Sequence, residues 1–192
     1  MPIAMRAAIG LWVLFVTSWT IAGVWAARTE AKPGREREQL YLLMNVIGWA
    51  MMFIPLGRSF VPQLWVNPPV VEWALVALIA AGFAFCWWAR LHLGKLWSSS
   101  VTRKEGHRVI DTGPYRLVRH PIYTGIILAS AGLAAIGATA LGIAGFLLSS
   151  AGFWIKARLE ERFLSEELGA EAYAAYKART PMLVPFLRTG AT

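Results

Sequence analysis

IYTGIILASAGLAAIGATALGIAGFLLSSAGFWI, residues 122–155, is a run of thirty-four residues without a charge. A hydrocarbon core of about 30 Å takes about 20 helical residues. The run is therefore too long for one crossing unless its helix tilts steeply. Two shorter helices fit better, and the small residues of GATALG, residues 137–142, suit a tight turn between them. The expected spans are 122–137 and 140–156.

The rest of the chain points the same way. Of its 192 residues, 57% are hydrophobic and 16% charged, where a soluble domain carries about 25% charged. Ten tryptophans and several long uncharged runs exceed what a small soluble core hides. Residues 7–27 form the first such run. A cleaved signal peptide with Arg6 at its head is the alternative there, although a signal's apolar core is shorter, about 7–15 residues. Residues 40–57 and 70–89 give two more spans, with Glu72 in the first turn of the latter, where the helix dipole favours a carboxylate. Residues 28–39, around Pro33 and Gly34, read as a solvated loop. Cys86 is the single cysteine and sits in an apolar run, as a small core residue would.

Charge tests the five-span reading. The loops 28–39 and 90–121 and the segment after 155 hold 4, 7 and 6 Lys and Arg, or 17 of the 19, leaving only Arg6 and Arg58 elsewhere. With one span over 122–155 the division would be 11 against 8. The positive-inside rule favours five helices, an outside N-terminus and cytoplasmic polar segments at 90–121 and 157–187. The expected fold is an all-α integral membrane helical bundle with a cytoplasmic C-terminal helical segment, in a bacterial inner membrane. The same placement of charge argues against nucleic acid as the reason for the net charge of +8.

Chemistry concentrates in residues 106–125, GHRVIDTGPYRLVRHPIYTG. Thr112-Gly113-Pro114 signals a turn, with a short helix over Tyr115 to Arg119. His120-Pro121 resets the backbone and starts the next helix. Tyr115, Arg119 and Tyr123, spaced by four and four, would meet with His120 at its mouth, where free backbone N–H groups favour an anion. Either a small anionic or zwitterionic molecule binds there, or Arg116 and Arg119 hold lipid phosphates and the tyrosines form an aromatic belt. The preceding stretch, with Lys95 and Trp97, reads as an interfacial anchor. Further on, Glu160 and Glu161 stand where a helix leaves the membrane, a costly place for carboxylates without partners. They pair with Arg158 and Arg162 on a solvated face, or with a cation held against residues 106–125. Gly169 suits a helix C-cap, with a short helix over 170–178. Dinucleotide-binding, phosphate-loop, zinc-protease and serine-hydrolase signatures are absent, and three scattered histidines make no metal site.

The run from His107 through Gly113-Pro114-Tyr115, Arg119-His120-Pro121, Tyr123 and Gly125, followed by Glu160-Glu161 and by Gly169, Tyr173 and Tyr176 before Pro181 and Pro185, resembles the isoprenylcysteine carboxyl methyltransferase family and its bacterial relatives, akin to phospholipid methyltransferases. The likeness covers residues 93–187. It implies an S-adenosylmethionine-dependent membrane methyltransferase with a lipophilic small molecule or lipid as acceptor. By position, His107, Tyr115, Arg119, His120 and Tyr123 would belong to the cofactor pocket, and Glu160 and Glu161 to the cofactor or acceptor site. Arg158, by charge alone, would engage an acceptor carboxylate. Methylation of a carboxylate is the leading expectation. Phospholipid or amine N-methylation, and a non-enzymatic protein that binds anionic lipid, are the alternatives.

Overall fold

The computed structural model describes residues 1–25, 29–31, 35–54, 61–94, 103–104, 110–168 and 170–187. Six α-helices account for most of them: α1 Ile3–Ile21, α2 Arg35–Phe53, α3 Pro69–Leu93, α4 Pro121–Gly137, α5 Ala140–Leu168 and α6 Ala170–Arg179. Helices α1, α3 and α5 are long and apolar enough to cross a membrane, and α4 is a shorter apolar helix. Their outward faces are apolar and open, as at Val13, Leu14, Val70, Leu91 and Leu147, which suits lipid rather than water as solvent.

The uncharged run is two helices. Helix α4 ends at Gly137, and the reversal is made by Ala138 in the left-handed region at φ 50°, not by a glycine. Thr139 then accepts the Gly142 N–H on its hydroxyl at 3.0 Å, which caps α5. Helix α5 does not stop where the apolar residues stop. Its 29 residues, about 43 Å at 1.5 Å each, carry Lys156, Glu160 and Glu161 beyond the apolar part on the same rod.

Helix α2 packs along α5 and α3 along α4, with α4 against α5 joining the pairs and α1 resting on α3. Glycine permits both close pairings. A Cβ added to Gly82 would stand 2.6 Å from the Gly125 carbonyl, and one added to Gly48 would stand 2.7 Å from the Gly145 carbonyl. Between the helices lies an aromatic layer in which Phe15 and Phe83 stack at 4.1 Å and Trp12 meets Phe83 edge-on at 4.9 Å. Cys86 is fully buried there, its thiol on the Ile122 carbonyl at 3.3 Å.

One expectation is corrected. The loop predicted over 28–39 is shorter, because α2 already begins at Arg35: its charged first turn reads as loop by composition yet continues the helix. The described residues fold as helices, as expected, accompanied by a minimal antiparallel ladder of β1 Thr29–Ala31 with β2 Arg103–Lys104. The ladder ties the polar segment before α2 to the one between α3 and α4, at one end of the bundle. At the other end, Leu64 N–H and the Asn67 amide cap the carbonyls of Ala138 and Ala135 at 2.7 and 2.9 Å. Lys95, Trp97, His107 and Gly169 lie outside the described residues.

Candidate functional site

Gly113 opens the site. At φ 57° it takes a left-handed turn, and a Cβ there would stand 2.8 Å from the His92 ring. His92, from the last turn of α3, hydrogen-bonds the Thr112 hydroxyl at 2.8 Å. Pro114 starts a 3-10 helix over Gly113–Arg116 that ends before Arg119, shorter than the turn predicted through Tyr115 to Arg119. His120, at φ −124° and ψ 64°, stays out of the helical region that a following proline disfavours, and Pro121 begins α4.

Arg119 turns inward. Its Nε donates to Glu161 Oε1 at 2.6 Å, and its Nη1 donates to the carbonyls of Lys177, at 3.2 Å, and Thr180. Those carbonyls belong to the end of α6, the negative end of its dipole, so one guanidinium pairs a carboxylate on α5 and caps α6. Arg119 and Glu161 are both buried. A guanidinium so engaged does not reach lipid phosphate, whereas Arg116 is exposed. Just before α4, the backbone N–H groups of Arg119 and His120 donate to the carbonyls of Pro181 and Met182, at 2.9 and 3.1 Å.

The adjacent glutamates have different surroundings. Glu161 Oε1 also meets His120 Nε2 at 3.2 Å, and its Oε2 meets Lys177 at 3.5 Å. Glu160 faces His120 Nδ1 at 3.6 Å and accepts from the Tyr123 hydroxyl at 2.7 Å. Its side chain stays 28% exposed against 3% for Glu161. The imidazole thus lies between both carboxylates, with its ring stacked on Tyr123 at 5.3 Å. One helical turn before Glu160, Lys156 places its ammonium 5.2 Å from the Tyr123 ring and 5.4 Å from that of Tyr41 on α2. Such cation–π placements are strongest away from water, and Lys156 is buried.

Tyr115 and Tyr176 hold the site's outer edge. The Tyr176 hydroxyl donates to the Tyr115 carbonyl at 2.7 Å, and burial pushes the phenols of Tyr115, Tyr173 and Tyr176 above their usual range, so they remain donors. Arg179 pairs with Asp111 nearby.

Of the residues expected at the site, Arg119, His120, Tyr123, Glu160 and Glu161 come together, with Tyr115 beside them. Arg158 does not join them: it is exposed and lies over the ring of Trp154 at 4.9 Å. Lys156, Tyr41, Lys177 and Thr180 are site residues that sequence reasoning missed. Lys156 and Glu160 were findable, since i and i+4 on a helix share a face. Nothing local signals the other three.

The model of the isoprenylcysteine carboxyl methyltransferase family matches residues 74–166. The matched stretch runs from α3 to the charged part of α5 and contains every member of the cluster except Tyr41 and the contributions of α6. Over these 93 of its 192 residues the chain is similar to the isoprenylcysteine carboxyl methyltransferase family. Among curated relatives, protein-S-isoprenylcysteine O-methyltransferase B of Arabidopsis thaliana is 30% identical over 58% of this chain and 51% of its own length. Methanethiol S-methyltransferase of a Pseudomonas species is 29% identical over 80% of this chain and 61% of its own. Cobalt-zinc-cadmium resistance protein CzcN of Cupriavidus metallidurans is 26% identical over 79% and 65%. The chain thus spans between about half and two thirds of the length of these relatives. The likeness to that family and the apolar helices together make this a membrane protein.

Proposed function

We propose that the chain is an S-adenosylmethionine-dependent membrane methyltransferase acting on a lipophilic acceptor, with a carboxylate as the preferred acceptor group. The observation that carries the reading is the division of labour between Glu160 and Glu161. Glu161 is saturated by Arg119, His120 and Lys177 and holds α4, α5 and α6 together. Glu160 keeps part of its carboxylate open beside the Tyr123 ring. A partly open carboxylate next to aromatic faces suits a sulfonium, so the residues present fit the cofactor. When bound, S-adenosylmethionine supplies an electrophilic methyl group.

Tyr115, His120, Tyr123 and Glu160 would contact the cofactor, with His107 completing the pocket, while Arg119 acts through Glu161. Lys156 is better placed than Arg158 to receive an acceptor carboxylate, because its ammonium lies within the cluster. A carboxylate oxygen needs no base, so the chain's work is alignment and exclusion of water, worth at most about 7–11 kcal/mol as effective molarity. An amine acceptor would have to lose a proton, and Glu160, hydrogen-bonded by Tyr123, is the base in reach.

The topology belongs to the same reading: five crossings, α2 and α4 included, an outside N-terminus, and the cluster on the cytoplasmic face of a bacterial inner membrane. Calorimetric titration of the purified protein in detergent with S-adenosylmethionine tests the function. Micromolar or tighter binding is expected, weakened by Glu160→Gln. No heat of binding at millimolar cofactor overturns the proposal.

A further inference from the structure

Residues 180–183 form a strap across the head of α4. The Thr180 carbonyl accepts from Arg119, and the carbonyls of Pro181 and Met182 take the N–H groups of Arg119 and His120 at 2.9 and 3.1 Å. The Leu183 carbonyl accepts the Thr124 hydroxyl at 2.6 Å. Thr124 lies in the first turn of α4, so the strap reaches the level at which that apolar helix begins.

Immediately beyond, the chain reverses. Leu187 N–H donates to the Val184 carbonyl at 3.3 Å, with Pro185 second and Phe186 third in the turn. Phe186 has φ 67°, the left-handed value that turns with proline in second place ordinarily give to glycine. A bulky side chain there is strained. It is also 95% exposed, with Val184 at 52% and Leu187 at 63% beside it. Leu117, in the loop under the strap, is exposed as well, next to an exposed Arg116.

A strained turn that holds a phenylalanine away from the protein gains nothing if the ring meets water, and gains its full burial if the ring meets hydrocarbon. Depth decides between them. The turn follows directly from a residue bonded to the first turn of α4, so its apolar side chains stand at the rim of the membrane slab, where aromatic side chains gather and a neighbouring arginine meets headgroups. Exposed apolar side chains also stand on the helices themselves, Leu128 on α4 and Leu147 and Trp154 on α5. We propose that residues 184–187 are a membrane anchor: Phe186 and Leu187 insert among lipid chains beside α4 and hold the strap down over Arg119 and His120. The anchor is independent of which reaction the site performs.

Cys86 is the single cysteine and is fully buried, so spin labels can be placed one at a time in a Cys86→Ala background. In phosphatidylcholine–phosphatidylglycerol vesicles, labels at Phe186→Cys and Leu187→Cys should collide with oxygen several-fold more than with a water-soluble nickel chelate. A label at Ala175→Cys, on the exposed face of α6, should show the reverse. Nickel access at position 186 equal to that at 175 overturns the anchor. Phe186→Gly tests the holding role without a label. Glycine relaxes the turn, so any loosening of the strap comes from the lost ring: hydrogen exchange at the Arg119 and His120 amides in vesicles should speed up several-fold. Unchanged protection overturns the holding role.

Discussion

Arg119 and Glu161 meet at 2.6 Å with both side chains almost completely buried, the first at the head of α4 and the second on the charged extension of α5. Taking one partner away leaves a buried charge without its counterpart, a loss of about 3–5 kcal/mol. Arg119→Ala should therefore lower the thermal midpoint in detergent sharply, and Glu161→Gln should do so too. The double variant should lose much less than the sum, since residues in one network are not additive. Additive losses would mean that the pair is not the tie that it looks to be.

Glu160 and Lys156 predict a different signature. Glu160 is partly exposed, so Glu160→Gln should move the unfolding midpoint little. Cofactor affinity should fall about tenfold, near 1.4 kcal/mol, through loss of a charge-assisted contact. Lys156→Met should leave cofactor affinity close to its starting value while raising KM for an anionic acceptor, with partial rescue by Lys156→Arg. If Lys156→Met instead abolishes cofactor binding, the ammonium belongs to the cofactor half of the site.

Legibility from sequence followed the length scale of each interaction. The break between α4 and α5 could be read because charge-free length and clustered small residues are local facts, although the left-handed residue proved to be Ala138 and not a neighbouring glycine. The meeting of Arg119 with Glu161 was readable only as two segments in a family pattern, because its geometry depends on how α6 folds back. Lys156 stands at the edge of an apolar run, and its place beside Tyr41 from α2 is a tertiary fact that no local pattern carries. Arg158 was assigned to the acceptor by charge alone, yet helical side chains lean toward the N-terminus, and it reaches back one turn to Trp154. The charged first turn of α2 was hidden for a related reason: composition marks solvent exposure, not backbone conformation.

Tyr176 offers a test by pH. Burial raises its phenol above the ordinary value of about 10, and its proton is the one donated to the Tyr115 carbonyl. Above pH of about 10 the unfolded chain loses this proton while the folded chain keeps it, so stability falls as pH rises. Tyr176→Phe should cost about 1–1.5 kcal/mol near neutral pH for the lost hydrogen bond. It should also flatten the alkaline decline measured by denaturation between pH 9 and 11, a range set by the ordinary phenol value of about 10. An identical decline in the variant would show that other phenols or lysines dominate it.

The crossing of α3 and α4 can be tested at one atom. A Cβ on Gly82 would stand 2.6 Å from the Gly125 carbonyl, which is backbone and cannot rotate aside as a side chain could. The helices must then separate or slide, and overpacking of this kind costs about 1–3 kcal/mol. Gly82→Ala should lower the thermal midpoint accordingly, although alanine favours helix over glycine by about 1 kcal/mol. That opposing term calls for a reference site: Gly10, in α1, has no atom within 4 Å of an added Cβ, so Gly10→Ala should show the propensity gain alone. The difference between the two variants isolates the contact. Because α3 carries His92 to Gly113 and α4 carries His120 and Tyr123, displacement at Gly82 should also weaken cofactor binding, which Gly10→Ala should leave unchanged. Equal midpoints for the two variants would place the helices farther apart than the structure has them.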